Sequence, residues 1–317
     1  MLRNKRFEVQ SRRKTLQSEI FQHPNCTLHL NRPQNRLPLR PFHASSTIIY
    51  KTTDHNLIQL AIDIGNTRTK AALFNGGTLL HKAAWEELTT AALEQLAYNQ
   101  KIENAILSTT AKVPKQVEAY LREKFFYVRL GSDTPLPIAV HYQTPLTLGK
   151  DRIAAAAGAF SLYPNENALI IDAGTCITMD LINSEGTFLG GNISPGVEMR
   201  LKAMHHFTSN LPLVIPRTFG NGLRTVDWQT ADWLGDSTES AVRNGGELGA
   251  LLEVTAFMER CRRGFKPLRV IFTGGDADFF VKNIKTKIFA HSNLVLIGLN
   301  KILQHNVNIF KQGKSGK

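Results

Sequence analysis

The sequence predicts an α/β fold made of two similar half-domains, and two observations carry that expectation. Residues 62–80 read I-D-I-G-N-T-R-T-K-A-A-L-F-N-G-G-T-L-L, and residues 171–189 read I-D-A-G-T-C-I-T-M-D-L-I-N-S-E-G-T-F-L. With small gaps both spell strand, Asp-x-Gly turn, Thr, strand, Asn/Gly hairpin and strand, and such self-similarity reports architecture rather than one local site. Two copies 109 residues apart are too few and too distant for a solenoid, so they indicate duplicated halves facing a cleft. The second observation is that strands alternate with helices after the opening hairpin.

Order begins near Leu57, where L-I-Q-L-A-I-D-I is a mostly apolar strand and T-K-A-A-L-F follows the Gly-Asn turn as a second. Asn75-Gly76-Gly77 is a strong hairpin signal leading into T-L-L-H-K-A-A-W. Residues 88–100 have helical composition, A-I-L-S-T-T (105–110) is a buried-type strand, V-P-K-Q-V-E-A-Y-L-R-E-K-F a helix with Pro near its start, and F-Y-V-R-L a strand. Residues 132–150, with their prolines, form a loop, and Asp151 opens the alanine-rich helix D-R-I-A-A-A-A-G-A-F-S-L-Y.

The second half starts with A-L-I-I-D (168–172), repeats the hairpin pattern through Gly190-Gly191, and continues with a helix around 196–205 and an irregular stretch at 216–234. Asp236 is a candidate N-cap, with Glu239 three residues on, for a long helix to about Arg262. P-L-R-V-I-F-T-G-G-D-A is strand, Gly turn and helix start, and N-L-V-L-I-G-L is expected as a last strand. The expected organisation is therefore a basic extension at 1–56, half-domains at 57–165 and 166–305, and a tail at 306–317.

The net charge of +12 suggests nucleic acid until it is located. Residues 1–56 hold ten Lys/Arg against three acids and so carry seven of those charges, leaving the body mildly basic. That arm carries no recognised nucleic-acid motif; it fits a disordered tail or a start site placed too early, a targeting peptide, or a nucleic-acid arm. No apolar run approaches the roughly 18 residues of a membrane span. Cys26, Cys176 and Cys261 show neither disulfide nor metal-ligand spacing, which suits a reducing cytosol.

In Asp63-Ile64-Gly65-Asn66-Thr67, glycine lets backbone approach a phosphate, Asn and Thr can donate to it, and Lys70 adds positive charge. An Asp beside phosphates can hold a cation or its hydration shell. A plain tight turn is the bland alternative. Asp172-Ala173-Gly174-Thr175 is the second copy, with Asp172 a candidate cation ligand and Thr175 a phosphate donor, or else a relic of duplication.

Gly149-Lys150-Asp151-Arg152 stands where loop becomes helix. Asp151 is either an N-cap or a carboxylate able to take a proton from an attacking hydroxyl, with Arg152 pairing a substrate anion. The diglycine of T-G-G-D-A (273–277) permits close approach of a base or sugar, or is a plain strand-to-helix turn. No Walker loop, dinucleotide fingerprint, nucleophile elbow or H-E-x-x-H occurs, and His205-His206 suit a surface or core role better than metal binding.

The ordered set D-I-G-N-T-R-T-K (63–70), Y-Q-T-P-L-T-L-G-K-D-R (142–152), D-A-G-T-C-I-T-M-D (172–180), G-G-N-I-S-P-G (190–196), L-P (211–212), G-D-S-T-E-S-A-V-R-N-G (235–245) and T-G-G-D-A (273–277) resembles the type III pantothenate kinases. These belong to the acetate kinase/sugar kinase/Hsp70/actin superfamily, and the resemblance covers residues 57 to about 300. Two departures stand out: Cys176, where the family more often has Ala, and the 56-residue extension.

The resemblance implies a pair of ribonuclease H-like (actin-like ATPase) half-domains with an interdomain cleft. It also implies ATP-dependent phosphorylation of pantothenate to 4'-phosphopantothenate, the first step of coenzyme A biosynthesis. Asp151 would be the general base, and Tyr142, Gly149, Lys150, Asp151, Arg152 and Thr238 would bind pantothenate, Thr238 reaching across from the partner subunit. Asp63, Ile64, Gly65, Asn66, Thr67, Arg68, Thr69, Lys70 and Thr175 would bind ATP, and Asp172 a potassium or ammonium ion. A cytoplasmic homodimer using ATP with Mg2+ is implied, with no membrane or nucleic-acid partner. A kinase of another small hydroxylated metabolite, and a non-catalytic regulatory or nucleic-acid accessory protein using the basic arm, stay open at this point.

Overall fold

Two sheets with the same internal order organise the chain. The computed structural model describes residues 58–65, 67–217 and 233–315, so the basic extension and Asn66 lie outside the described residues. The first sheet comprises β1 (Ile58–Ile64), β2 (Thr69–Asn75), β3 (Thr78–Trp85), β4 (Ile102–Thr109) and β5 (Phe126–Arg129), in the order β3-β2-β1-β4-β5. The second comprises β6 (Ala139–Val140), β7 (Asn167–Ala173), β8 (Cys176–Ile182), β9 (Thr187–Pro195), β10 (Leu268–Thr273) and β11 (Phe289–Ala290), in the order β11-β10-β7-β8-β9-β6.

In each sheet three strands (β1–β3, β7–β9) form an antiparallel meander and two later strands run parallel to its first, while β6 adds a parallel edge to β9. This shared topology is the ribonuclease H-like arrangement of actin-like ATPases, present twice. The repeated sequence segments occupy the same place in both copies, β1–β3 and β7–β9.

Helices fill the layers around the sheets. On the outer face of the first sheet are α1 (Thr90–Leu96) and α2 (Lys115–Lys124), with Leu93, Val117 and Leu121 packed against Leu60, Ile62 and Leu107. On the outer face of the second sheet are α4 (Val197–His206), α5 (Thr238–Gly264) and α6 (Ala277–Asn283), covering Leu169, Ile171 and Phe272.

Between the sheets lie α3 (Lys150–Leu162) and α7 (Leu294–Ser315), which pack closely on each other. Their shared core takes Ala61, Phe74 and Ile106 from the first sheet and Ile170, Ile182 and Ile271 from the second. The alanine run 154–157 and the glycine pair Gly158 and Gly298 let the two backbones approach, because a Cβ on Gly298 would overlap the Ala154 carbonyl.

Three expectations need correction. In the run N-L-V-L-I-G-L, all but Asn293 belong to the beginning of α7 rather than to a strand, and the expected tail at 306–317 is helical as far as Ser315. The cap of α5 is Ser237 rather than Asp236, in a reciprocal pair with Ser240. Loop 132–150 is not wholly irregular: Ala139–Val140 pairs in parallel with β9, and Pro145–Thr147 forms a 3-10 turn.

Candidate active site

Strand alternation decides which side chains meet. Ala61 and Ile170 face the inter-sheet core, so Asp63 and Asp172, two residues on in β1 and β7, face the same layer. They occupy equivalent positions, each one residue before the end of its strand. Lys70 on β2 and Asp180 on β8 share that face with Ala72 and Ile182. Towards this end of the layer points the N-terminus of α3, with Asp151 as its second residue.

The three acids Asp63, Asp151 and Asp172 form one electrostatic group. Burial, followed by the Asp151 charge, pushes Asp63 from 3.8 up to about 6. The same two causes push Asp172 up to about 6, with Asp63 and Asp180 adding repulsion and Lys70 opposing it. Negative charge here exceeds what Lys70 compensates, so the donors suit a cation. Among the described residues no three His, Cys, Asp or Glu side chains come close enough to hold a metal ion by themselves.

Asp151 is not the N-cap of its helix. Gly149 takes that position, and Asp151 Oδ1 accepts from the Arg152 backbone N–H at 2.8 Å. A Cβ on Gly149 would stand 2.5 Å from that Oδ1, so glycine there leaves the carboxylate its room.

Arg152 is only 5% exposed and Asp180 1%. Arg152 Nε donates to both Asp180 oxygens at 2.9 and 3.1 Å, and Nη2 donates to Oδ1. The guanidinium lies over the rings of Tyr142 and Phe188, at 5.8 and 5.7 Å from their centroids. Tyr142 is brought there by β6: His141 N–H donates to the Phe188 carbonyl, and the Tyr142 ring meets Phe188 edge-on. Tyr142, Gly149, Asp151 and Arg152 thus stand together at the start of α3, with Lys150 as its first residue.

The turn after β1 is tight, with Gly65 N–H donating to the Arg68 carbonyl at 3.1 Å and Thr67 and Arg68 exposed. Ile64 and Thr69 are buried. Gly174 and Thr175 form the matching turn after β7, with Thr175 exposed. Next to it, Gly274 adopts φ +95, and a Cβ there would overlap the Ala173 carbonyl and Asp172 Oδ1. Gly275 has nothing near its missing Cβ and opens into a cavity of about 360 Å³ lined by Lys70, Lys82, Gly274, Ser292, Asn293 and Leu296 among others.

Thr238 is not brought into this group within one chain. It is the exposed first residue of α5, on the outer layer of the second sheet.

A family model described as type III pantothenate kinase matches residues 59–260. The chain belongs to that family. A type III pantothenate kinase from Christiangramia forsetii is 41% identical over 78% of this chain and 99% of its own length. One from Bacteroides fragilis is 39% identical over 78% of this chain and 98% of its own. Among solved structures, a ROK hexokinase from Thermus thermophilus is 16% identical, with a TM-score of 0.42 over 80% of this chain and 100% of that one.

Several residues beside this group were passed over by motif reading. Asp180 closes the motif D-A-G-T-C-I-T-M-D, and strict alternation from Thr178, which pairs with Asp172, places it on the cleft face. Lys82 and the turn Ser292-Asn293 belong to no motif. Lys82 was accessible from the hairpin register alone, whereas Ser292 and Asn293 depend on where α7 packs.

Proposed function

We propose that this protein phosphorylates pantothenate on its primary hydroxyl at the expense of ATP, giving 4'-phosphopantothenate for coenzyme A biosynthesis. The observation that carries the reading is the meeting of Asp63, Asp151 and Asp172 at the N-terminal end of α3, in a chain of the type III pantothenate kinase family. The half-domains are taken as 57–165 and 166 onward, with the cleft between them. The assay that tests this is ATP-dependent conversion of pantothenate by the purified protein.

In this reading Asp63 to Lys70, with Thr175, hold the phosphates of ATP. Tyr142, Gly149 to Arg152, and Thr238 of a second copy, hold pantothenate. The Asp151 carboxylate accepts the hydroxyl proton as the oxygen attacks the γ-phosphorus. The new O–P bond forms as the bond to the β-phosphate oxygen breaks, and ADP leaves. Little covalent work falls to the protein; positioning and charge neutralisation dominate such transfers. Arg152, clamped by Asp180, presents its remaining face towards the substrate carboxylate.

Asp172 would hold a potassium or ammonium ion, and Asp63 would face the hydrated Mg2+ that accompanies ATP. These ions supply charge neutralisation at the phosphates. An aspartate whose folded pKa is raised costs the fold stability as pH climbs from its ordinary value through about 6, and that cost is complete above 6. A cation that pairs with the ionised carboxylates offsets the cost. Potassium should therefore raise the melting temperature at about pH 8 and lose that effect by about pH 5, where the carboxyls are protonated. Equal stabilisation at both would contradict the site.

We also read the molecule as a cytoplasmic homodimer. Phe207 (81% exposed), Ile215 (73%) and Leu252 (56%) all belong to the α4–α5 layer or the segment leaving it, apolar side chains that a second copy would cover. Sedimentation at micromolar concentration should return twice the 35.3 kDa chain mass, and a monomer would remove this part of the reading. No helix among the described residues is long and apolar enough to cross a membrane.

A further inference from the structure

We infer that Lys82, on the edge strand β3, is a second nucleotide-binding cation that holds a phosphate retained on ADP, in division of labour with Lys70. The inference rests on the kinase reading above and extends it to a residue outside the D-I-G-N-T-R-T-K motif.

Register places the two lysines. Ala72 on β2 pairs with Lys82 on β3, and Lys70 pairs with Ala84. Lys70 and Lys82 are therefore diagonal neighbours on one face of the hairpin, a relation in which such positions lie about 7–8 Å apart. Ala72 belongs to the inter-sheet core, so this face looks into the layer where the cleft opens. Both side chains line the same cavity, opposite Gly275, Ser292 and Asn293.

The chemistry of that cavity asks for an anion with an apolar part. Its lining holds two ammonium groups and no carboxylate, and Ala83, Ala84 and Leu296 give it apolar walls. Ser292 and Asn293 immediately precede α7, whose N-terminal dipole end adds positive potential. A nucleoside polyphosphate has this character.

The two lysines differ in what surrounds them. The charge of Lys70 reaches Asp63 and Asp172, so it belongs to the end of the cleft where phosphate is transferred. Lys82 stands two residues further along the hairpin from the 65–68 turn, or about 7 Å at the rise of a strand. Its ammonium meets the part of the nucleotide behind the transferred phosphate. That part is common to ATP and ADP, so its grip does not change as the reaction proceeds and contributes to binding rather than to rate.

The hairpin that carries both lysines is fixed from α7. Asn300 Nδ2 and Gln304 Nε2 both donate to the Gly76 carbonyl at the hairpin tip, at 2.8 and 2.6 Å. The lysine face and the opposite wall are thereby held by one helix.

The test compares Lys82→Met and Lys82→Arg with the unaltered full chain. Calorimetric titration with ADP and Mg2+ reads binding, and steady-state kinetics with pantothenate read KM for ATP and kcat. Lys82→Met should weaken ADP binding and raise KM for ATP by the same factor, about tenfold for one charge-assisted contact, with kcat within about twofold. Lys82→Arg should restore most of the affinity. Unchanged ADP affinity in Lys82→Met, or a fall in kcat without a change in ADP affinity, overturns the assignment. If the unaltered protein binds ADP but does not phosphorylate pantothenate, the substrate reading fails while the ADP titration still decides the role of Lys82.

Discussion

Replacing Asp151 with Asn should lower kcat by about 10²–10⁴-fold while KM for ATP stays level or falls. Asn keeps an oxygen that can accept from the Arg152 N–H, so the start of α3 and the room left by Gly149 are preserved. The change removes the proton acceptor and one negative charge from beside Asp63 and Asp172, whose pKa values should drop back from about 6 as the repulsion goes. Losing a negative charge next to a polyphosphate lowers the repulsion that opposes its binding. A collapse in turnover with intact ATP affinity is thus the signature of a missing base rather than of a damaged site. Turnover within about tenfold of the unaltered protein would take Asp151 out of the chemistry.

The largest effect on stability should come from Asp180→Ala. The change strands the Arg152 charge in a position 5% exposed, with its remaining neighbours the rings of Tyr142 and Phe188. Breaking a buried pair by removing one partner costs about 3–5 kcal/mol, a large share of the roughly 5–15 kcal/mol by which a fold is stable. The urea midpoint should fall accordingly. Replacing both members, as Arg152→Met with Asp180→Leu, should recover most of the midpoint because no charge is left buried. Activity should stay lost in the double variant if Arg152 binds substrate as proposed, since Met cannot pair an anion. A loss below about 1 kcal/mol in Asp180→Ala would show that the guanidinium finds water in the cleft and that Asp180 does not anchor it.

The halves of the fold were legible because the duplication is written in turn-forming residues. The Asp-x-Gly turn fixes where β1 and β7 end, and the Asn/Gly hairpins fix the register that follows. The alanine run of α3 announced a helix, though not that it would be buried on every side. The same burial explains why α7 was mistaken for a strand. Leu294, Leu296 and Leu299 face the inter-sheet core while Val295 and Ile297 also pack against it, so the segment has no polar stripe. A helix enclosed between two sheets loses its 3.6-residue period and looks like a buried strand.

The candidate site was legible as far as the grouping of Asp63, Asp151 and Asp172, where motif and chemistry coincide, and not where it depends on packing. Asp180 and Lys82 needed only the two-residue alternation carried through the hairpins. Ser292 and Asn293 enter the cavity only because α7 returns between the sheets, a placement that no local pattern encodes. Thr238 remains apart from the cleft within one chain, which is where the proposed second copy enters the argument.

One measurement bears on the whole account: phosphorus NMR of the purified protein with ATP, Mg2+ and potassium, given pantothenate in equimolar mixture with a panel of sugars and polyols. The account predicts one new phosphomonoester, 4'-phosphopantothenate, formed in step with ADP and absent with Asp151→Asn. Phosphate appearing on a sugar or polyol instead, or no transfer to pantothenate at all, would contradict it.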